Sequence, residues 1–144
     1  MAGNLKGATS TCDIEPSLIE KIKEFRFQKF STNNAAFVLK INKNSLKIEE
    51  DEVYDNISLE DLVEELPENT PRYIILSYEL KHDDGRVNFP LLFIYWSPST
   101  AKAELHMLYT SAKGDLQQKI DVMRDFEIRE PESLSDEYLI SQLR

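Results

Sequence analysis

Apolar and polar residues recur along this chain with two different periods, and the changes of period divide it into elements. Residues 1–11 are small and polar and read as a loose tail. Leu18, Ile22 and Phe25 then fall at i, i+4 and i+7, which predicts a helix over about residues 15–30. Pro16 suits its first turn, and Lys21, Lys23, Arg26 and Lys29 make its far side basic. Ser31-Thr32-Asn33-Asn34 breaks the pattern. Residues 35–41 (AAFVLKI) predict a strand and Asn42-Lys43-Asn44 a tight connection. Residues 45–54 return antiparallel, with Leu46 and Ile48 alternating against Lys47 and Glu49.

The next segment carries dense helix-start chemistry. Ser58 can cap, Asp61 sits at the reciprocal capping position, and Ile57 can staple onto Leu62. Leu59, Leu62, Val63 and Leu66 form the buried stripe, and Pro67 ends the helix. Residues 72–80 (RYIILSYEL) and 87–96 (VNFPLLFIYW) are the strongest strand signals, joined by Asp84-Gly85 at a hairpin turn. The run Leu91 to Trp96 is apolar on both faces, as in a central strand, and Pro90 is expected at a bulge or an unpaired strand end. From about residue 100, Leu105, Leu108, Tyr109, Ala112, Leu116, Ile120 and Met123 recur at helical spacing. Residues 126–129 (FEIR) predict a short strand, and Ser135 caps a last helix with Leu139 and Leu143 on one face. The order α-β-β-α-β-β-α-β-α gives an α+β domain whose central mixed sheet, of five or six strands, is sandwiched by helices.

At 144 residues and 16.7 kDa this is one domain, expected over residues 12–144 behind the 1–11 tail. There is no apolar run near the ~20 residues that span a bilayer. The early residues lack a secretory signal, and a lone Cys12 excludes a disulfide framework. A reducing, cytosolic compartment follows. The net charge of −9 is regional. Ten acids, Glu49, Glu50, Asp51, Glu52, Asp55, Glu60, Asp61, Glu64, Glu65 and Glu68, fall between Ile48 and Pro71, where no Lys or Arg occurs. The 26 acids less these ten leave 16 against 17 bases elsewhere, which is close to neutral. Such a surface repels phosphate backbones, so nucleic acid is disfavoured as a partner, and a solvated face is the plain reading of the run.

Candidate chemistry is sparse. His82 adjoins Asp83 at an exposed hairpin tip, where neither can orient the other while excluding water. His106 lies on a helix without Asp, Glu, Cys or His at i±4, and reads as a solvated residue without a metal partner. No Gly-rich phosphate loop occurs. Cys12, near the loose start and without an activating base, reads as inert. The carboxylates of Glu49-Glu50-Asp51-Glu52 point to opposite faces, a poor geometry for a paired acid and base. Enzymatic activity and cofactors are therefore not expected.

A binding surface remains. Opposite the apolar stripe of the long helix lie Met107, Thr110, Ser111, Gly114, Gln117 and Gln118, mostly small and polar with one methionine. Small side chains permit close approach to a partner and a flexible Met fills irregular gaps. By composition alone, ordinary solvent-facing helix surface is the favoured reading of this stripe.

The run His106-Met107-Leu108-Tyr109-Thr110-Ser111-Ala112-Lys113, followed by Leu116, resembles the long-helix motif of the actin-depolymerising-factor homology family, which includes cofilin, twinfilin and coactosin. Three further segments narrow the resemblance: Phe25-Arg26-Phe27 with Asn33-Asn34-Ala35-Ala36, Glu65-Leu66-Pro67 with Pro71-Arg72, and His82-Asp83-Asp84-Gly85-Arg86. Together these resemble the glia maturation factor family, in the right order from about Cys12 to the C-terminus. The resemblance implies a monomer that binds the actin-related protein 2/3 complex, inhibits branched nucleation and promotes debranching. It implies a cytoplasmic place at cortical actin patches or branched networks, with the nucleus as a second location.

The resemblance further implies that Met107, Ser111, Lys113 and Gln117 meet a groove of that complex, and that Arg26 and Lys29 pair with acids on its rim. Asp83, Asp84, Arg86, Arg124, Glu127 and Arg129 are the candidates for a second surface, toward the first actin subunit of a daughter filament. Cofilin-like proteins carry bases just before the Met-hydrophobic-Tyr motif, where this chain reads Glu104, Leu105 and His106. The serine switch near a cofilin N-terminus is also absent, since the context of Ser10 does not match. The alternative on this fold is a cofilin-like protein that binds and severs filaments.

Overall fold

Two hydrophobic layers, one on each face of a mixed sheet, hold this protein together. The structure is a computed structural model and describes residues 12–27, 33–122 and 124–143; the 1–11 tail and Lys29 lie outside the described residues. Among the described residues the sheet has six strands: β1 (Asp13–Ile14), β2 (Asn34–Asn42), β3 (Lys47–Ile57), β4 (Arg72–Ser77), β7 (Leu91–Trp96) and β8 (Arg124–Ile128), in the spatial order β1-β3-β2-β4-β7-β8. β5 (Leu80–Lys81) and β6 (Val87–Asn88) form a separate two-stranded ribbon. The described helices are α1 (Pro16–Phe27), α2 (Leu59–Glu65), α3 (Ala103–Ile120) and α4 (Asp136–Leu143), with a 3-10 turn at Pro131–Ser133.

The three central strands, β2, β4 and β7, are apolar on both sides, so each face needs a cover. Phe37, Leu39, Tyr73, Ile75, Phe93 and Tyr95 point to an upper layer filled by α1 and α3. Val38, Ile74, Leu76, Leu92, Ile94 and Trp96 point to a lower layer filled by α2 and α4. β7 and β8 run parallel, and α3 is the crossover between them. This connection places α3 across the upper face with one side against the sheet and the other to solvent.

Local chemistry sets the element ends. The Ser58 hydroxyl accepts the Asp61 N–H at 3.1 Å and opens α2, and the Ser135 hydroxyl accepts the Tyr138 N–H at 3.2 Å and opens α4. Leu66 ends α2 in extended conformation ahead of Pro67. Trp96 Nε1 donates to the Pro67 carbonyl at 2.8 Å, tying that end to β7. Gly85 sits at φ +92°, the left-handed turn that Asp84-Gly85 predicts.

Several expectations are corrected. β1 precedes α1 and pairs parallel with the start of β3, making the sixth strand; two residues are too few to show a period. Cys12 is buried in the upper core, 3% exposed, and burial pushes its thiol above the usual range. It is thus a core residue, and the burial that raises its thiol opposes thiolate formation. Leu46 is 42% exposed at φ +56°, inside the turn, because the strand resumes one residue later at Lys47. The long hairpin splits at Tyr78 and Glu79 on one side and at Phe89 and Pro90 on the other. Pro90 has no N–H for the ladder, but its carbonyl accepts the Tyr78 N–H at 3.1 Å. α3 ends at Ile120, where Asp121 takes φ +53°; the Met123 side chain lies outside the described residues. The last strand starts at Arg124 and ends at Ile128, two residues ahead of the predicted start and one short of the predicted end.

Candidate functional site: the outward face of the long helix

The inner side of α3 is anchored first. Tyr109, Ala112, Leu116 and Ile120 are buried at helical spacing. Tyr109 stacks within an aromatic cluster, its ring centroid 5.2 Å from that of Tyr73, which lies 5.8 Å from both Phe93 and Tyr95. The Tyr109 hydroxyl accepts the Ile41 N–H at 2.9 Å, beyond the point where β4 stops pairing with β2. The Tyr73 hydroxyl donates to the Tyr109 carbonyl. Burial pushes both phenols above the usual tyrosine range. These contacts fix the rotation of α3, and therefore which residues look outward.

The outward residues are those the helical period assigns. Met107 is 72% exposed, the most exposed of the large hydrophobic residues described. Thr110, Ser111, Gly114 and Gln118 are exposed around and beyond it, and a Cβ built on Gly114 meets nothing within 4 Å. The Ser111 hydroxyl turns back onto the Leu108 carbonyl at 2.8 Å, which lowers the polarity presented to a partner. The result is a shallow, weakly polar strip with one flexible thioether standing out of it. Its chemistry suits contact with another macromolecule and offers no acid, base or nucleophile in a cleft.

Other candidates fall differently from the sequence reading. Lys113 and Gln117 are half-buried at the strip's margin, and the Lys113 ammonium lies 5.6 Å from the Tyr95 ring centroid, a cation–π contact. Arg26 donates from Nη1 to the Ile120 carbonyl at 2.9 Å. Its guanidinium therefore caps the last turn of α3, where a cation suits the helix dipole, and joins the two helices of the upper layer. Replacing Arg26 with Ala is expected to lower unfolding free energy by about 1 kcal/mol in urea titrations, since one charged hydrogen bond is lost. Lost partner binding at unchanged stability would instead assign Arg26 to the rim.

The second-surface candidates separate along the sheet. Asp83, Asp84 and Arg86 sit at the tip of the β5–β6 ribbon, and Arg124 begins β8 opposite Leu92, toward that same end. Glu127 pairs in register with Tyr95, so it and Arg129 stand toward the far end of the β7–β8 pair. Most of these charges are spent internally. Arg86 Nε meets Asp84 Oδ2 at 2.7 Å, and the Arg86 backbone N–H and guanidinium hold the Asp84 carboxyl below the usual range. Arg129 Nε meets Glu127 at 3.0 Å. Arg124 donates to the Gln142 carbonyl at 2.7 Å and lies over the Phe126 ring at 5.8 Å. Val87 and Phe89, 47% and 38% exposed on the ribbon, were missed because a continuous strand would have turned one face of it inward.

Both histidines have a side-chain partner. His106 Nδ1 is 3.0 Å from the hydroxyl of buried Ser97, so it is half-buried and partnered, contrary to the solvated helix residue expected. His82 Nε2 is 2.7 Å from Asn88 Oδ1 across the ribbon. Among the described residues no group of three His, Cys, Asp or Glu could hold a metal ion, and no helix is long and apolar enough to cross a membrane.

The architecture is thus a mixed sheet between two helical layers, with the outer side of the crossover helix exposed. Residues 11–144 match the family described as "Cofilin/tropomyosin-type actin-binding protein". The chain is 45% identical over 132 residues to glia maturation factor beta of Homo sapiens, covering 92% of each chain. It is 41% identical to glia maturation factor of Drosophila melanogaster, covering 92% of this chain and 96% of that one. The solution structure of glia maturation factor from Caenorhabditis elegans is similar at a TM-score of 0.79 and 36% identity, covering 93% and 96% of the two chains. The chain belongs to the cofilin-type actin-binding family, in its glia maturation factor branch.

Proposed function

We propose that this protein is a non-enzymatic regulator of branched actin, acting as a monomer in the cytoplasm at cortical patches and branched networks. The outward strip of α3, with Met107 at its centre and Ser111, Lys113 and Gln117 beside it, docks into a groove of the actin-related protein 2/3 complex. The observation that carries this is the exposure of Met107 on a helix whose inner side is locked by Tyr109 and Leu116. An exposed thioether among small side chains is poorly solvated alone and well matched to an apolar groove. The ribbon tip, with Asp83, Asp84 and Arg86, forms the second surface toward the daughter filament, and the exposed Val87 and Phe89 extend it.

The mechanism is a population shift. Binding at the branch junction favours whichever state it contacts better, and contact with the state that has lost its daughter filament drives release. Glu104 is exposed in the first turn of α3, where cofilin-like proteins carry base. An acid there opposes the acidic surface of actin, which favours the 2/3 complex over filament sides as the target.

Time-lapse imaging of preformed branched networks distinguishes the readings. Adding the purified protein is expected to shed daughter filaments while mother filaments stay whole. Severing of unbranched filaments in the absence of the nucleating complex would overturn the proposal in favour of a cofilin-like activity.

A further inference from the structure

The lower face of the sheet carries a surface that the proposed function leaves unused. A groove of about 480 Å³ runs between α2 and the segment formed by Pro131–Ser133 and the start of α4. Leu59, Val63, Pro131 and Leu134 give it an apolar floor. Its rim is acidic throughout, formed by Glu60, Glu64, Glu132, Asp136 and Glu137, with no Lys or Arg among the lining residues.

The acids of this rim differ from those elsewhere on the chain. On β3, Asp51 meets Arg72 at 3.0 Å and Lys40 at 3.9 Å, and Glu50 meets Lys21 at 3.3 Å. Around the groove, Asp136 accepts the Tyr78 hydroxyl at 2.6 Å, and no described basic side chain forms a salt bridge with any of the five. Glu60, Asp136 and Glu137 sit in first turns, where negative charge suits the helix dipole. Glu132 sits likewise in the first turn of the 3-10 segment, so Glu64 alone has no such reason. Glu64 lies one turn after Glu60, near the end of α2, where both the dipole and the like charge at i−4 oppose it. Among the described residues this rim thus holds negative charge without paired bases, beside an apolar floor that reaches the surface at Val63 and Pro131.

We infer that this groove docks a short basic amphipathic segment of a partner protein. An apolar anchor rests on Val63 and Pro131, and flanking Lys or Arg side chains pair with Glu64 and Glu132. Charge selects this occupant: a second copy of a chain with net charge −9, a nucleic acid or an anionic membrane is repelled. The volume suits a few side chains. Because α3 lies across the sheet from the groove, both surfaces can be occupied at once, and one partner bearing both ligands gains avidity. The inference does not rest on the identity of the α3 partner.

The test uses the full chain and a short fluorescein-labelled peptide in which two Leu residues are flanked by Lys and Arg. Fluorescence anisotropy is expected to show binding that weakens at least roughly tenfold when Glu64→Lys and Glu132→Lys are combined. The same change in net charge placed on β3, Glu52→Lys with Asp55→Lys, is expected to shift affinity by no more than about twofold. A peptide with both Leu replaced by Ser is expected to lose most of the binding, as is Val63→Ser, which tests the floor without altering charge. Backbone amide shifts in NMR should map to α2 and Pro131–Ser133. Equal weakening by the two charge-reversed variants would mean diffuse attraction and overturn the inference. So would full binding of the Ser peptide, shifts confined to other surfaces, or self-association abolished by the Glu64 and Glu132 reversals.

Discussion

Replacing Met107 with Asp is expected to weaken capture of the actin-related protein 2/3 complex by about 2 kcal/mol or more, roughly thirtyfold, with thermal unfolding unchanged. The side chain is 72% exposed in the free protein, so the fold loses almost nothing. In a groove the thioether would be desolvated, and a carboxylate in its place must either stay hydrated or be buried without a partner. Surface plasmon resonance with the purified complex, alongside calorimetric melting, reads both quantities. Unchanged affinity in the folded variant would remove α3 from the interface. Lys113→Ala is the poorer probe, because the ammonium sits over Tyr95 and its loss alters the protein's own packing as well.

The largest loss of stability is expected at Tyr109. Tyr109→Ala should cost about 3–5 kcal/mol, because a buried ring leaves a cavity among Tyr73, Tyr95 and Leu116. Against a total of about 5–15 kcal/mol for a domain of this kind, that is a large share. Tyr109→Phe isolates the hydroxyl and should cost about 1–3 kcal/mol, since the Ile41 N–H is left buried without its acceptor. Tyr95→Phe should cost less, because its hydroxyl reaches exposed Thr110 only at 3.4 Å. Urea unfolding of the three variants checks the order. A Tyr109→Phe protein as stable as the parent would mean that water satisfies that N–H.

The same cluster predicts alkaline sensitivity. Burial raises Tyr73 and Tyr109 above their ordinary value of 10.0. A group whose folded value is raised contributes stability that is fully present below the unfolded value and is lost as pH rises beyond it. Stability should therefore hold up to the ordinary tyrosine range and fall above it. Tyr109→Phe should flatten part of that fall, as followed by tyrosinate absorbance together with circular dichroism.

Much of the domain was legible from one-dimensional pattern. The spacing of Leu18, Ile22 and Phe25, and of Tyr109, Ala112, Leu116 and Ile120, predicted the two helices of the upper layer and their buried sides. Ser58 and Ser135 announced the starts of α2 and α4, because a cap acts within three residues of itself. The outward strip at Met107 followed from the same period that buried Tyr109. What escaped depended on contacts between distant segments. β1 carries too few residues to show a period. Arg26 read as a base on the far side of its helix, offered to acids on a partner's rim, and nothing near it in sequence pointed to the Ile120 carbonyl, 94 positions away, that it meets. His106 looked solvated until buried Ser97 stood against it.

The chain's own order of apolar and polar residues determined which segments become helix or strand, and which side of each turns inward. Those choices rest on local propensity and on a period of two or 3.6 residues, which any neighbour must respect. Tertiary structure alone decided what the leftover polar groups would meet. It paired Asp51 with Arg72, left the acids of α2 without a salt bridge among the described residues, and set two exposed surfaces on opposite faces of one sheet. The Asp51–Arg72 ion pair and the Arg26 hydrogen bond to the Ile120 carbonyl depend on distances of a few ångströms between segments far apart in the chain, and no spacing within a single segment encodes them.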